Sequence, residues 1–133
     1  MKVVIVLDRE LPVGLLANAA AVLAFSAAPH LPEGIGPALE DADGSPHAGI
    51  TNLPIPVLAS SAGQLAELRA QALALPGVGC IDFPDVAQRA KRYEDYAADL
   101  NAARETDLSY LGLCIFGPPA AVRHLTGILT LIR

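Results

Sequence analysis

The chain has 133 residues, 53% of them hydrophobic, and carries a formal net charge of −5. This length suits a single domain with one hydrophobic core, so we expect one domain over residues 1–133. Nine basic residues against 14 acidic ones disfavour a sequence-independent grip on nucleic-acid phosphates, although they leave tRNA open as a partner. The one basic cluster, at residues 89–92, is followed by acidic residues and indicates a solvated helix face.

Residues 11–28 form the longest uncharged stretch and approach the roughly 18 to 20 residues that cross a bilayer. The stretch opens with Pro12 and is rich in alanine, which favours membrane insertion only weakly, so we predict a buried helix of a globular core. The first apolar run, residues 3–7, ends at Asp8 and is too short for a signal peptide. We therefore expect a cytoplasmic protein without membrane contact.

Strands and helices alternate along the first half of the chain. Residues 2–7 are a continuous β-branched run, typical of a strand buried on both faces. Residues 12–28 have helix-forming composition, with Pro12 suited to a helix start and Pro29 to its end. Residues 30–53 are rich in Pro, Gly and Asp and predict a loop whose length is uncommon unless it is mobile or functional.

The alternation continues in the second half. Residues 55–59 predict a strand near a sheet edge, because Pro56 cannot donate to a ladder. Residues 61–75 predict a helix that opens with a capping box, and residues 78–82 predict a third strand. One amphipathic helix is predicted after Pro84. Its apolar face comprises Val86, Ala90, Tyr93, Ala97 and Leu100.

Three further elements complete the predicted fold. Residues 110–116 predict a fourth strand, residues 118–125 a short helix that begins at a Pro-Pro pair, and residues 128–132 can add a last strand. Strands that alternate with helices predict an α/β class protein, a three-layer α/β/α sandwich around a four- to five-stranded mixed sheet.

The two cysteines, Cys80 and Cys114, each lie inside an apolar run without a CxxC or Cys/His spacing, so we interpret both as buried thiols. The sequence contains no Ser-His-Asp order, zinc-binding spacing, P-loop or dinucleotide glycine pattern. We therefore expect neither a cofactor nor a metal ion.

Two aspartates stand at the ends of predicted strands. Ligands of open α/β sheets bind at the carboxyl ends of strands, and Asp8 and Asp82 lie at one end of the sheet if their strands are parallel. The alternative for Asp8 is a surface turn or a helix cap. The alternative for Asp82 is the N-cap of the helix that begins at Pro84.

Other polar residues have two interpretations each. His47, in the long loop, can act as a base or ligand because its ordinary pKa lies near neutrality, or it is simply solvated. Asn18, inside the Ala-rich helix, caps a backbone group or faces a ligand. Tyr93 and Tyr96, three residues apart, offer hydroxyls to a cleft or pack against the sheet or a partner.

The two ends of the chain resemble peptidyl-tRNA hydrolase II. The opening strand, residues 2–6, is followed by Asp8, Gly14 and an Ala-rich helix, as in that family. Residues 113–118 and 125–129 are similar to its closing strand, Gly-Pro turn, helix and Thr-Gly ending. The resemblance implies the peptidyl-tRNA hydrolase II fold.

Other segments look like an uncharacterised bacterial group, the domain-of-unknown-function family numbered 2000, which is similar to peptidyl-tRNA hydrolase II in fold. These segments are Asp43-Gly44 and residues 47–50, 53–56 and 110–113. This resemblance implies a fold without a known activity.

The residues that the hydrolase resemblance makes catalytic are only partly present. Leu15 replaces the lysine expected after Gly14, and Val22 stands where a histidine is expected. A leucine supplies neither charge nor a hydrogen bond to an oxyanion, so the resemblance implies weakened acyl-transfer chemistry.

Two other family positions retain a polar group. Asp82 matches the family's aspartate, with Asp85 as a second candidate. Tyr110 lies near the family's threonine and keeps a hydroxyl.

Three functions remain open. The favoured one is a small-ligand-binding or divergent enzymatic module; the others are a residual peptidyl-tRNA ester hydrolase acting through Asp82, and a non-catalytic interaction protein. A homodimer is expected. The candidate catalytic residues are Asp82, Asp8 and His47, and the candidate ligand-binding residues are Gly14, Asn18, Asp85 and Tyr110.

Overall fold

The computed structural model describes all of residues 1–133, and its strands and helices alternate as an α/β fold. The strands are β1 (Lys2–Asp8), β2 (Leu39–Glu40), β3 (Pro46–His47), β4 (Val57–Ser60), β5 (Gly79–Pro84) and β6 (Tyr110–Gly117). The helices are α1 (Val13–Ala27), α2 (Ala62–Ala74), α3 (Asp85–Arg89), α4 (Tyr93–Ala102) and α5 (Pro119–Thr126).

Four strands form one mixed sheet in the order β4-β1-β6-β5. Strand β1 runs parallel to β4, and β6 runs antiparallel to both β1 and β5. Strands β1, β4 and β5 therefore point the same way, and their carboxyl ends share one end of the sheet. The continuous apolar run of β1 is buried on both faces, as its sequence predicts.

Helices cover both faces of the sheet, which gives three layers. Helix α1 packs Ala19, Leu23 and Ala27 against one face. Helices α2 and α5 cover the other face, where Leu65 and Val122 are completely buried. The predicted capping box begins α2: the side chains of its Ser and Gln bond each other's backbone N–H groups.

The last predicted strand, residues 128–132, does not form. The tail instead lies beside the edge strand β4, with one isolated bridge between Leu58 and Leu131. Two backbone hydrogen bonds, Ala59 N–H to Thr130 and Ile132 N–H to Val57, hold it there. The sheet therefore has four strands, and β4 lies at an edge as Pro56 predicts.

The single amphipathic helix predicted after Pro84 is wrong, because the chain forms α3 and α4 with a break at residues 90–92. Ala90 and Arg92 adopt extended backbone angles. Val86 is buried, whereas Tyr93 is 79% exposed, so the predicted apolar face does not exist. Lys91 and Arg92 in the break are exposed, so no core contact favours a helix through these residues.

Helix α1 is not enclosed by the core, contrary to the sequence-based expectation. Only three of its 15 residues are buried, and Phe25 is 85% exposed. The stretch Val13–His30 is long and apolar enough to cross a membrane by length and composition alone, a test that core helices and signal sequences also pass. The buried stripe of α1 is packed on the sheet, and its outward face is uncovered.

The long loop is structured by short elements. Residues 30–53 contain the two-stranded β2–β3 sheet and the single-turn 3-10 helix Pro32–Gly34. Gly49 lies against the carbonyl group of Gly36, where any Cβ atom would overlap it. His47 lies on β3, which pairs only with β2 in a hairpin separate from the main sheet.

Candidate functional site

An open cleft of about 640 Å³ follows the edge of the sheet formed by β5. Its floor is the strand itself, residues 81–83. One wall is a stripe of α1, and the other is made by α3, the break at residues 90–92 and the start of α4. The cleft exists because no further strand or helix covers the outer edge of β5.

The first wall consists of residues spaced by four: Asn18, Val22 and Ser26 on α1, and His30 in the 3-10 turn that follows it. This spacing matches the helical repeat, so the side chains form one exposed stripe beside the buried one. The imidazole ring of His30 lies 5.4 Å from the ring of Phe116. That phenyl ring covers Gly79, where a Cβ atom would collide with it. His30 therefore marks the cleft end at which β5 begins.

The opposite wall is aromatic and basic. Tyr93 and Tyr96 pack edge to face with ring centroids 5.5 Å apart. Lys91 and Arg92 line the same wall because the break between α3 and α4 turns them toward the cleft. Burial raises the pKa of Tyr96, and the nearby charge of Asp82 adds to the effect. The Tyr96 hydroxyl therefore stays protonated and can donate a hydrogen bond.

A charged cluster lies on the α2 side of β5. The Nε of Arg69 donates to the Oδ2 of Asp82 at 2.9 Å, and its Nη1 reaches Glu105 at 3.3 Å. The guanidinium also lies 5.5 Å from the ring centroid of Tyr110. Burial lowers the pKa of Arg69, but the hydrogen bond and charge of Asp82 outweigh it and leave the pKa above its ordinary value.

Arg69 contacts two of the predicted site residues, Asp82 and Tyr110. Burial raises the pKa of Tyr110, which the charge of Arg69 partly opposes, so its phenol stays neutral. The neighbouring Cys80 thiol has a pKa raised to about 11 by burial and by Asp82, so it is a poor nucleophile. The hydrogen bond between Arg69 and Asp82 holds α2 against β5, so the role of this cluster is structural. It contains no thiolate, and Arg69 contacts both of its carboxylates.

Three of the predicted residues lie in the cleft or beside it. Asn18 lines the cleft, as one of its two interpretations requires. Asp82 does not cap a helix, because its carboxylate bonds Arg69. The carboxylate of Asp85 accepts from the N–H of Val86 and pairs with Arg89 at 3.3 Å, so it stabilises the first turn of α3.

The remaining predicted residues do not join this site. Asp8 lies at the same end of the sheet as Asp82, with β6 between them, and its Oδ1 accepts the N–H of Glu10 in a surface turn. Gly14 lies in the exposed first turn of α1 with nothing packed against it. His47 bonds Asp41 through Nε2 at 2.9 Å on the distant hairpin. The Asp41 pKa is lowered first by that contact and then by two backbone N–H groups.

Arg69 and His30 were not singled out from the sequence, and Lys91 and Arg92 were interpreted as part of a solvated helix face. Arg69 follows Leu68 and lies four residues after Leu65, at the border of the apolar stripe of α2. A charged residue in that position could have indicated a buried ion pair from the sequence. The other three depend on the break after α3 and on the position of α1 over β5. No local pattern encodes those two features.

The sequence matches the family model DUF2000, proteins of unknown function, over residues 1–133. The chain therefore belongs to that family, as its sequence motifs indicate. It is also similar in fold to the structure of a protein of unknown function from Agrobacterium tumefaciens. The TM-score is 0.88 at 17% identity, over 98% of this chain and 96% of that one. No curated protein matches the chain.

Proposed function

We propose that this DUF2000 protein is a cytoplasmic small-ligand-binding module of peptidyl-tRNA hydrolase II-like fold, whose ligand occupies the cleft beside β5. The observation that carries the proposal is the cleft itself. Its volume of about 640 Å³ falls in the range of small-molecule sites, roughly 300 to 1,000 Å³. Half of its 14 lining residues are hydrophobic, and Asn18, Ser26 and Gln88 supply polar groups.

The charge of the cleft favours an anionic ligand. Lys91 has no carboxylate partner, and the pair between Arg92 and Asp95 is long, 3.5 Å, and exposed. The one acidic side chain of the cleft, Asp82, is neutralised by Arg69. A basic rim on a chain of net charge −5 concentrates anions locally, because clefts focus the field of the charges that line them.

Ligand binding is favoured over hydrolysis of an ester. The resemblance to peptidyl-tRNA hydrolase II assigns its catalytic lysine and histidine to Leu15 and Val22, and Val22 lines the cleft as an apolar side chain. The aspartate expected to act, Asp82, is bonded to Arg69 on the α2 side of the strand. That hydrogen bond occupies an oxygen of the carboxylate that a hydrolytic mechanism would need free. The cytoplasmic location is supported by two unpaired thiols.

A fragment screen by NMR tests the proposal, with small carboxylates, phosphates and amides as probes. We expect hits that shift the resonances of the cleft residues. In Val22→Trp the new ring fills the cleft, so binding should fall at least tenfold. Val13→Trp is the matched control, because Val13 lies on the same helix, is 82% exposed and does not line the cleft. A screen without hits, or hits insensitive to Val22→Trp, would refute the proposal.

Homodimerisation through α1 is a second candidate function, favoured by a different observation. Val13 is 82% and Phe25 85% exposed on the outward face of this helix, and residues 11–29 contain no charged side chain. Two copies of an acidic chain repel least across an uncharged face, which makes a second copy the fitting occupant. We expect a dimer by light scattering that Phe25→Lys converts to a monomer. A wild-type monomer at 100 μM, or a dimer unaffected by Phe25→Lys, would contradict this candidate.

A further inference from the structure

The direction of the hydrogen bonds in the sheet can be followed from β4 toward β5. The N–H of Ile5 donates to the carbonyl oxygen of Pro56 at 2.9 Å, so odd-numbered residues of β1 bond toward β4 and even-numbered ones toward β6. Val4 and Ile115 are register partners across β1 and β6 and form such a bonded pair. The alternate residues of β6, among them Cys114, therefore bond toward β5.

The same alternation shows which groups of β5 point outward. Gly79, Ile81 and Phe83 are the register partners of the alternate residues of β6 and take the ladder bonds. The backbone N–H and C=O groups of Cys80 and Asp82 consequently point away from the sheet. Neither residue makes a backbone hydrogen bond outside the ladder. Two donors and two acceptors are thus unpaired along this edge, in the arrangement that pairs with another extended chain.

This unpaired edge is the floor of the cleft. Residues 81–83 line it, and the side chains of Ile81 and Asp82 are only partly buried. An extended chain placed there would direct alternate side chains toward the α1 stripe and toward Tyr93 and Tyr96. The walls therefore supply contacts on both sides of a fifth strand.

The charges on the walls indicate what such a strand would carry. Lys91 lacks a carboxylate partner, and Arg92 is held only by an exposed contact with Asp95. The carboxylate nearest the floor, Asp82, is occupied by Arg69. Acidic side chains on the bound strand would meet positive charge at the rim, whereas basic ones would be repelled.

We infer that the outer edge of β5 binds an extended acidic peptide segment as a fifth strand, paired through Cys80 and Asp82. This inference rests on the proposed function, since it specifies the ligand class of the same cleft. The backbone supplies most of the recognition, and the basic rim selects acidic side chains. With so few contacts we expect a dissociation constant of about 0.1 to 1 mM.

Amide hydrogen exchange followed by NMR tests the pairing directly. In the free protein the amides of Cys80 and Asp82 should exchange about tenfold or more faster than that of Ile81, which is bonded to β6. An acetylated and amidated Val-Glu-Val-Glu-Val peptide should slow the exchange of Cys80 and Asp82 and leave Ile81 unchanged. Ile81 is an internal control, because it lies between the two reporters on the same strand.

Chemical variants of the peptide separate strand pairing from general affinity. A paired strand uses the amides of every second residue. N-methylation of either the odd-numbered or the even-numbered peptide amides should therefore abolish binding, and N-methylation of the other set should preserve it. Replacing Glu by Lys in the peptide should weaken binding at least tenfold. Lys91→Glu should reduce this preference, and Arg133→Glu, the same charge change at the exposed chain end, should not.

Three results would overturn the inference. One is absence of peptide binding at 5 mM, and another is binding that slows no β5 amide. The third is slow exchange at Cys80 and Asp82 in the free protein that speeds up on dilution, which would identify a second copy as the occupant of the edge. If small ligands sensitive to Val22→Trp bind while peptides do not, the peptide inference fails and the proposed function stands. If neither binds, both fail.

Discussion

The two edges of the sheet differ in whether their outward backbone groups are hydrogen-bonded. At β4 the C-terminal tail satisfies the outward backbone groups, with Ala59 N–H bonded to Thr130 at 2.8 Å and Ile132 N–H bonded to Val57 at 2.9 Å. At β5 the outward groups of Cys80 are unpaired. Proteins commonly cover or blunt sheet edges, because open edges pair with other chains. An edge left open beside a cleft is therefore the part of this molecule most suited to binding.

Removing the tail should produce the largest change. Deletion of residues 128–133 opens the β4 edge and removes two backbone hydrogen bonds of about 1 kcal/mol each, together with partial burial of Leu129 and Ile132. We expect the free energy of unfolding to fall by about 3 kcal/mol in urea titrations, and the variant to self-associate through β4. Ile132→Ala should show part of this loss.

Ile128→Ala is the matched control for the tail, because Ile128 is 94% exposed and buries almost nothing. It should leave the unfolding midpoint unchanged. Equal stability of the deletion variant and the full chain would mean that the tail does not close the β4 edge.

Two glycines extend the comparison from the edge to the centre of the sheet. A Cβ atom at Gly112, on the central strand β6, would lie 2.8 Å from the carbonyl oxygen of Val6 and 2.5 Å from Leu7 Cδ2. Neither can move freely, so Gly112→Ala should destabilise by about 2 to 3 kcal/mol. At Gly79, on the open edge, the three nearest atoms all belong to the ring of Phe116, and a partly buried side chain moves more readily than backbone, so Gly79→Ala should cost about 1 kcal/mol.

Calorimetry of both variants checks the order of the two effects. Gly63→Ala provides the control, because nothing lies within 4 Å of that Cβ position in α2. It should be neutral or slightly stabilising, by about 0.5 kcal/mol. A larger loss at Gly79 than at Gly112 would show that the β5 edge is packed as tightly as the centre.

The sequence predicts the covered parts of this molecule better than the open ones. Strand β1 follows from its uninterrupted apolar run, α2 from its capping box, and the edge position of β4 from Pro56. Each of these signals is local. The break between α3 and α4 was not predicted, because the composition and apolar spacing of residues 85–100 are compatible with one continuous helix.

The candidate site was predicted only in part for the same reason. Asn18 and Asp82, proposed as a ligand-binding and a catalytic residue, both line the cleft, but the carboxylate of Asp82 is bonded to Arg69. The pairing joins positions 13 residues apart, on α2 and β5. The exposure of α1 also escaped prediction, because an apolar composition does not distinguish a helix covered on all sides from one covered on a single face.

The Arg69–Asp82 pair should show an intermediate effect at the open edge. Arg69→Met keeps the apolar part of the side chain but leaves the half-buried carboxylate of Asp82 without its donor, so we expect a loss of about 1 to 2 kcal/mol in urea titrations. Arg123→Met, at an exposed position of α5, is the control and should change stability little. An unaffected Arg69→Met would mean that solvent replaces the pair and that α2 is not clamped to the edge strand.

The smallest expected effect concerns the two thiols, Cys80 on the edge strand β5 and Cys114 on its inner neighbour β6. Burial raises the pKa of Cys114 on β6 to about 12 from 9.0, so this thiol stabilises the fold at pH values below about 9 and the contribution is lost as the pH rises from 9 toward 12. Between pH 8 and 9.5 the fold should lose on the order of 1 kcal/mol through Cys114, a loss that Cys114→Ala removes. Cys80 is partly exposed on the open edge, so a thiol reagent should modify it faster than it modifies buried Cys114. Equal modification rates would mean that both thiols react only after global unfolding, and that the β5 edge opens no more readily than the centre of the sheet.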